Sequence, residues 1–200
     1  MTNQSSRRAL VLLDYQRALC EAGENCLAPP LAAQVEERGT IAAAARVLAA
    51  FRASAEPIFH VRLAFEPTYA LRGNRHPRFD RYVDERLMLR DSREAEIVDD
   101  LAPRDGEPVV DKGTVDPFVG TSLLPALSAL GVSHVVMGGV ATNLVVESAA
   151  RHACDAGLQV SVVSEMCASF DPGLHELSLS TFLPMFATVT SLDALLEGVR

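Results

Sequence analysis

Short apolar runs separated by longer mixed segments set the rhythm of the chain. Ala9-Leu-Val-Leu-Leu13 is continuously apolar and stops at Asp14, the pattern of a strand buried on both faces. Similar runs are Pro57-Ile-Phe-His-Val-Arg-Leu63, Pro108-Val-Val-Asp111, His134-Val-Val-Met-Gly138, Leu158-Gln-Val-Ser-Val-Val163 and Phe186 to Val189. Helical spacing and alanine content predict a helix over Ala32–Ala53. Shorter helices are expected over Glu94–Leu101 (stopped by Pro103), Ser122–Leu130 (closed by Gly131), Thr142–Ala156 (closed by Gly157), Pro172–Pro184 and Leu192–Val199. Leu19–Pro30 and Ala64–Leu87 carry the breakers of irregular segments. Strands separated by helices of this length require right-handed parallel crossovers. The expected fold is α/β: an open, six-stranded, mainly parallel sheet in a three-layer α/β/α arrangement, Rossmann-like, with residues 1–200 forming one domain.

In open parallel sheets ligands bind beyond the carboxyl ends of the strands. That rule selects Asp14, Arg62, Lys112 and the turn from Gly139 to Val145, each at or just past a strand end. The turn is the most informative stretch. Met137-Gly-Gly-Val-Ala-Thr-Asn-Leu-Val-Val-Glu-Ser148 reads as a buried strand that passes through glycines straight into a helix. Such a junction presents backbone N–H groups to an anion or a developing oxyanion. A hydrolase would stand its nucleophile there, yet the residue three after Thr142 is Val145.

Asp14 closes an aliphatic run, so desolvation raises its pKa and suits it to proton transfer; a cap for the following segment is the plainer alternative. Lys112 ends another strand. It is placed either to hold Asp14 in a defined charge state and bind a substrate carbonyl or carboxylate, or to lie exposed on a turn.

A net charge of −8 argues against nucleic acid and anionic membrane as partners. No apolar run approaches the roughly 20 residues of a membrane span. The start, Met-Thr-Asn-Gln-Ser-Ser-Arg-Arg, shows no signal segment, so a cytoplasmic location is expected. Cys20, Cys26, Cys154 and Cys167 form no CxxC pair, and buried or incidental thiols are expected rather than disulfides or a zinc site.

Leu12-Leu-Asp-Tyr-Gln16, Lys112 with Phe118-Val-Gly-Thr121, and Gly139-Val-Ala-Thr-Asn-Leu-Val-Val-Glu-Ser-Ala-Ala-Arg151 together resemble the isochorismatase-like hydrolases, also called cysteine hydrolases. That superfamily includes nicotinamidases, N-carbamoylsarcosine amidases, biuret and ureidoacrylate hydrolases, and isochorismatases. The resemblance implies an Asp–Lys–Cys site, with Asp14 and Lys112 as catalytic residues. It also implies a cis peptide between Val140 and Ala141, and an oxyanion pocket from Val140, Ala141, Thr142 and Val145. Gln16, Arg62, Phe65 and Phe118 are expected beside the substrate.

The chain departs from the pattern where the cysteine position falls on Val145, which cannot form a thioester. Cys154 lies nine residues further along, about 13 Å of helix, and Cys167 follows the fifth strand as the remaining candidate thiol. True isochorismatases need no cysteine: the aspartate acts as general acid on a vinyl ether, and water attacks the cation. The resemblance therefore implies a small-molecule hydrolase of secondary metabolism, with Asp/Lys acid–base chemistry. A non-catalytic binding descendant is the alternative, and a relocated-thiol amidohydrolase a weaker one. The Asp-x-His metal motif of nicotinamidases is missing after the second strand, where His60-Val-Arg-Leu63 stands. No metal, no cofactor and no nicotinamidase activity are expected, and the resemblance implies a homodimer or homotetramer.

From Arg62 to Arg93 the chain is rich in arginine, interleaved with Phe65, Tyr69, Phe79 and Tyr82. Placed after the second strand, this segment is expected to hang over the site. Most of its arginines read as a solvated surface balanced by Glu66, Asp80, Asp84 and Glu85, or as an oligomer contact. Arg62, nearest the strand end, is the one expected to meet an anionic substrate.

Overall fold

A computed structural model of the chain describes residues 7–198; Met1 to Ser6, and Val199 at the end of the expected terminal helix, lie outside them. Six strands, β1 (Arg8–Leu13), β2 (Ile58–Leu63), β3 (Val109–Lys112), β4 (His134–Val140), β5 (Gln159–Ala168) and β6 (Thr188–Thr190), form one sheet in the order β3-β2-β1-β4-β5-β6. Every neighbouring pair is parallel. The helices are α1 (Arg17–Cys20), α2 (Pro29–Glu37), α3 (Thr40–Ala53), α4 (Arg81–Asp84), α5 (Leu123–Ala129), α6 (Glu147–Asp155), α7 (Pro172–Leu177) and α8 (Leu192–Glu197). Among the described residues no helix is long and apolar enough to cross a membrane.

The period-two geometry of β1 divides the core. Leu10 and Leu12 point into a cluster with Leu31, Val47, Leu48, Phe51 and Leu195 of α2, α3 and α8. Ala9, Val11 and Leu13 point into the other, with Leu123 and Leu127 of α5 and Ala149, Ala150 and Ala153 of α6. The fold is the three-layer α/β/α sheet expected from the pattern. Burying each of these leucines stabilises it by about 1.5–3 kcal/mol.

Several boundaries differ from the sequence reading. The helix expected over Ala32–Ala53 is two helices, because Gly39 adopts a left-handed φ of 63° between α2 and α3. Pro29 and Pro30 begin α2, where a missing N–H costs nothing. The helix expected over Glu94–Leu101 is a pair of single 3-10 turns, Arg93–Ala95 and Asp99–Leu101. Beyond α7, the Pro172–Pro184 segment continues as a π turn (Ser178–Phe182) and a 3-10 turn (Leu183–Met185).

Strand β5 runs five residues past its expected end at Val163. Its register with β4 jumps from Met137↔Val162 to Gly139↔Cys167. The extra residues bulge against Gly138, where a Cβ would stand 2.4 Å from that of Met166. Within the bulge, Glu165 accepts the Leu192 N–H at the start of α8 (3.0 Å).

Candidate active site

The carboxyl ends of β1, β3 and β4 open into one cleft, lined by Asp14, Lys112 and Val145 among others. Asp14 follows the last residue of β1 and turns the chain at a left-handed φ of 59°. Its N–H still donates to the Val61 carbonyl of β2 (2.9 Å), so the strand ladder fixes its backbone. Gln16 secures the turn from below. Its side-chain amide donates to the Leu63 (2.8 Å) and Ala95 (3.1 Å) carbonyls, while its Oε1 accepts the Leu63 N–H (2.8 Å). Gln16 thus imitates a neighbouring strand and holds Asp14 against the end of β2. It does not border the cleft, which corrects its expected substrate contact.

Lys112, the last residue of β3, spans the end of β2 to reach Asp14. Its Nζ lies 2.9 Å from Asp14 Oδ2 and donates to the Thr114 carbonyl at 2.9 Å. Both side chains are buried. Burial raises the Asp14 pKa, and the lysine beside it offsets only part of that effect. Asp14 Oδ1 is buried with no hydrogen-bond partner among the described residues, which leaves one carboxyl oxygen for a ligand.

The β4 turn supplies the opposite wall. Gly139 lets β4 lie against β1, since a Cβ there would stand 2.3 Å from the Leu13 carbonyl oxygen. The Val140–Ala141 peptide is cis. Thr142–Val146 then forms a π-helical turn that runs into α6. Val140, Ala141, Leu144 and Val145 border the cleft. Thr142 faces the other way: its Oγ1 pairs with His175 Nδ1 of α7 at 2.7 Å, in a fully buried contact.

Three further expectations are corrected. Arg62 and Asp111 are register partners on β2 and β3, which puts their side chains on one face. Arg62 Nε donates to Asp111 Oδ1 at 2.7 Å, Arg90 takes the other carboxylate oxygen, and Arg62 does not line the cleft. Phe118 is buried against α6, stacked on His152 with ring centroids 4.8 Å apart. Cys167 lies inside β5 rather than after it, donating to the Val163 carbonyl. Burial pushes its thiol up to about 12. Neither Cys167 nor the other three cysteines borders the cleft. His60 is buried against Glu107 (3.0 Å), which a bidentate Arg52 also holds. Among the described residues no cluster of His, Cys, Asp or Glu is arranged to hold a metal.

The segment after β2 does cover the cleft, with a different arginine. Arg72, Asn74, Phe79 and Tyr82 line it together with Phe65 and, from beyond β5, Phe170. Phe79 and Tyr82 stack with centroids 6.3 Å apart, and Phe65 packs on Tyr82 at 5.8 Å. Two glycines dock this lid on the end of β3. The Gly73 N–H donates to the Gly113 carbonyl (3.0 Å), and a Cβ on Gly113 would stand 2.2 Å from the Leu71 carbonyl oxygen. Sequence spacing gave no means of singling out Arg72 from its neighbours; the glycine directly after Lys112 was the available signal that another backbone approaches there.

Comparison with known proteins places this geometry. An uncharacterised isochorismatase family protein of Escherichia coli O157:H7, YecD, is 28% identical over 191 residues, covering 96% of this chain and 95% of its own. A maleamate amidohydrolase of Pseudomonas putida is 26% identical over 196 residues, covering 96% and 86%. The crystal structure of an isochorismatase family protein from Desulfovibrio vulgaris superposes with a TM-score of 0.85 over 97% of this chain and 98% of that one. At 24% identity that likeness speaks for the fold alone. Residues 8–194 match the isochorismatase domain, and the chain belongs to the isochorismatase family of hydrolases.

Proposed function

We propose that the chain is a hydrolase that works by proton transfer through Asp14 and Lys112, without a cysteine nucleophile, on a small anionic or carbonyl-bearing metabolite. One observation carries this reading. The buried Asp14–Lys112 pair borders the same cleft as Val145, the position onto which the family resemblance maps the nucleophilic cysteine. Valine offers no lone pair for a thioester, so covalent amide chemistry has no starting atom there.

A vinyl ether fits what remains. Asp14, whose acid form burial favours, gives its proton to the unsaturated carbon, and positive charge develops at the ether carbon. Water adds to that carbon and returns a proton to the Asp14 carboxylate. The hemiketal then breaks its C–O bond, giving a carbonyl compound and an alcohol. Lys112 keeps Oδ2 occupied, so the exchange runs through Oδ1.

The test is a panel of vinyl ethers, carbamoyl compounds and amides assayed with wild type and Asp14→Asn, with and without iodoacetamide. Turnover falls at least about 100-fold in Asp14→Asn and is indifferent to the alkylating agent. Full activity in Asp14→Asn overturns the proposal. Loss on alkylation moves the chemistry to a thiol, and binding without any turnover identifies a non-catalytic descendant.

A further inference from the structure

The β4 turn faces the cleft on one side and the segment after β5 on the other. Val140, Ala141, Leu144 and Val145 border the cleft. The polar side chains among and just beyond them, Thr142, Asn143 and Glu147, each bond to residues 169–178. Thr142 Oγ1 lies 2.7 Å from His175 Nδ1, Ser169 Oγ donates to Asn143 Oδ1 at 2.6 Å, and Ser178 Oγ donates to Glu147 Oε1 at 2.6 Å. His175 and Ser178, three residues apart, present one face of the helix to the turn. Asn143 and Glu147 are half-buried, so water can replace a lost partner there. Thr142 and His175 are 0% and 1% exposed, and neither can lose the other without a shift of the chain.

The turn needs such a hold because its own backbone is irregular. The Ala141 carbonyl accepts both the Leu144 N–H (3.1 Å) and the Val146 N–H (3.4 Å), the loose spacing of a π turn. The clasp, in contrast, is firmly seated. Asp171 caps α7 by accepting the Leu174 N–H (2.9 Å), and the His175 N–H donates to the Asp171 carbonyl (3.0 Å). Just before that cap Phe170 lines the cleft, and Ala168 is the register partner of Val140. The end of β5 thus gives one wall of the cleft and carries the helix that grips another.

We infer that His175 is a positioning residue of this active site: through Thr142 it sets the turn that holds Ala141 and Val145 against Asp14 and Lys112. His175 does not border the cleft itself, so it acts only through the turn. The inference rests on the proposed function only in taking this cleft as the place of reaction.

The rate of iodoacetamide labelling at position 145 in Val145→Cys reads the turn without any turnover, so its failure leaves the acid–base proposal standing. Adding Thr142→Val removes the hydroxyl and keeps the branched shape; adding His175→Ala removes its partner. Either slows labelling at least about ten-fold, since a displacement of about 1 Å can cost about 100-fold in rate. The two together lose no more than the larger single loss, because they break one contact. Thr142→Ser restores the hydroxyl, and His175→Asn places an amide where Nδ1 stood; each recovers most of the rate. Gly106→Ala, before the amino end of β3, leaves the rate unchanged although it also lowers stability. Thr142→Val decides the matter if His175→Ala does not fold. An unchanged or faster rate in Thr142→Val, a loss that the conservative variants do not recover, or a parent thiol that does not react overturns the assignment.

Discussion

Lys112 Nζ stands 2.9 Å from Asp14 Oδ2, and the pair is contributed by β3 and β1, two strands that are not neighbours in the sheet. Lys112 is the register partner of Leu63, the last residue of β2, so the lysine reaches Asp14 across the end of that strand. Asp14 is therefore subject to two opposed forces: burial that raises its pKa, and a cation that lowers it.

Lys112→Met leaves burial unopposed. The Asp14 pKa rises further, and the limb of the pH–rate profile that depends on it moves to higher pH. Stability moves with it. A carboxyl whose folded pKa lies above its unfolded value of 3.8 favours folding below that value, and the contribution is lost as pH rises through the folded pKa. Enlarging that shift makes the variant progressively less stable than wild type toward neutrality, by about 3 kcal/mol at pH 7 and by less at pH 4.5. Urea unfolding at the two pH values measures it; equal losses at both would refute the coupling.

Val145→Cys restores a nucleophilic atom type at a position that is 1% exposed yet borders the cleft. The swap is close in volume, so the fold persists with a loss of about 1 kcal/mol. Peptide mapping after iodoacetamide finds label at position 145 in the variant, and that label blocks ligand binding. In wild type the label is confined to half-buried Cys26 and exposed Cys154 and leaves binding unchanged, because Cys20 and Cys167 are buried with thiols raised by burial. An unreactive variant thiol would mean that position 145 is closed to ligands.

Much of this arrangement was legible in the residues. Continuous apolar runs ending in Asp14 and Gly139 gave the strands, their parallel order and the end of the sheet where a ligand enters. The Asp14–Lys112 pairing followed from strand ends and from the family resemblance. What failed was side-chain direction. Arg62 ends a strand, but its register partner is Asp111, and strand pairing is set by contacts 49 residues apart in sequence. Gln16 and Phe118 sit in matching motifs and yet serve as a clamp and as packing, because a motif records a need without saying which face requires it. Arg72 lies in a segment without periodicity. The docking of Gly73 on Gly113 and the bonds of Arg72 to the Phe79 carbonyl and Asp80 place it at the cleft, and all of them are tertiary contacts.

Arg62→Ala tests that correction. Arg62 and Asp111 are partly exposed, and Arg90 still holds the carboxylate, so stability falls by only about 1 kcal/mol. Turnover of the variant on the substrate that wild type accepts equals that of wild type. A drop of ten-fold or more would return Arg62 to the binding site.

Gly139→Ala brings a methyl group against Leu13, one residue before Asp14. Contacts of 2.3 Å to the Leu13 carbonyl oxygen and 2.4 Å to its Cβ cannot be relieved by side-chain rotation, so β1 and β4 must part. The expected cost is about 3 kcal/mol in unfolding free energy, with weakened ligand binding at Asp14. Gly106→Ala is the control: unlike Gly139, Gly106 has a positive φ, of 87°, and nothing lies within 4 Å of the added carbon. It costs about 1–2 kcal/mol and leaves binding intact. Intact ligand binding and a loss no larger than that of the control in Gly139→Ala would mean that the β1–β4 approach does not hold Asp14 in place.

The back of the β4 turn has its own pH dependence. His175 is 1% exposed, its Nδ1 lies 2.7 Å from Thr142 Oγ1, and burial, helped by the nearby Arg38 charge, lowers its pKa from 6.5 to about 4. The unfolded chain takes up a proton near pH 6.5 that the folded chain refuses until about pH 4. Stability from neutral His175 is therefore complete above pH 6.5 and is lost as pH falls through about 4, a total of about 3 kcal/mol. His175→Gln can keep a hydrogen bond to Thr142 but cannot titrate. Wild type is the more stable protein at pH 7, and its advantage over His175→Gln shrinks steadily as the pH is lowered to 4. Urea unfolding of the two proteins at several pH values across that window gives the difference directly, and parallel stability curves would remove His175 as the source of acid sensitivity.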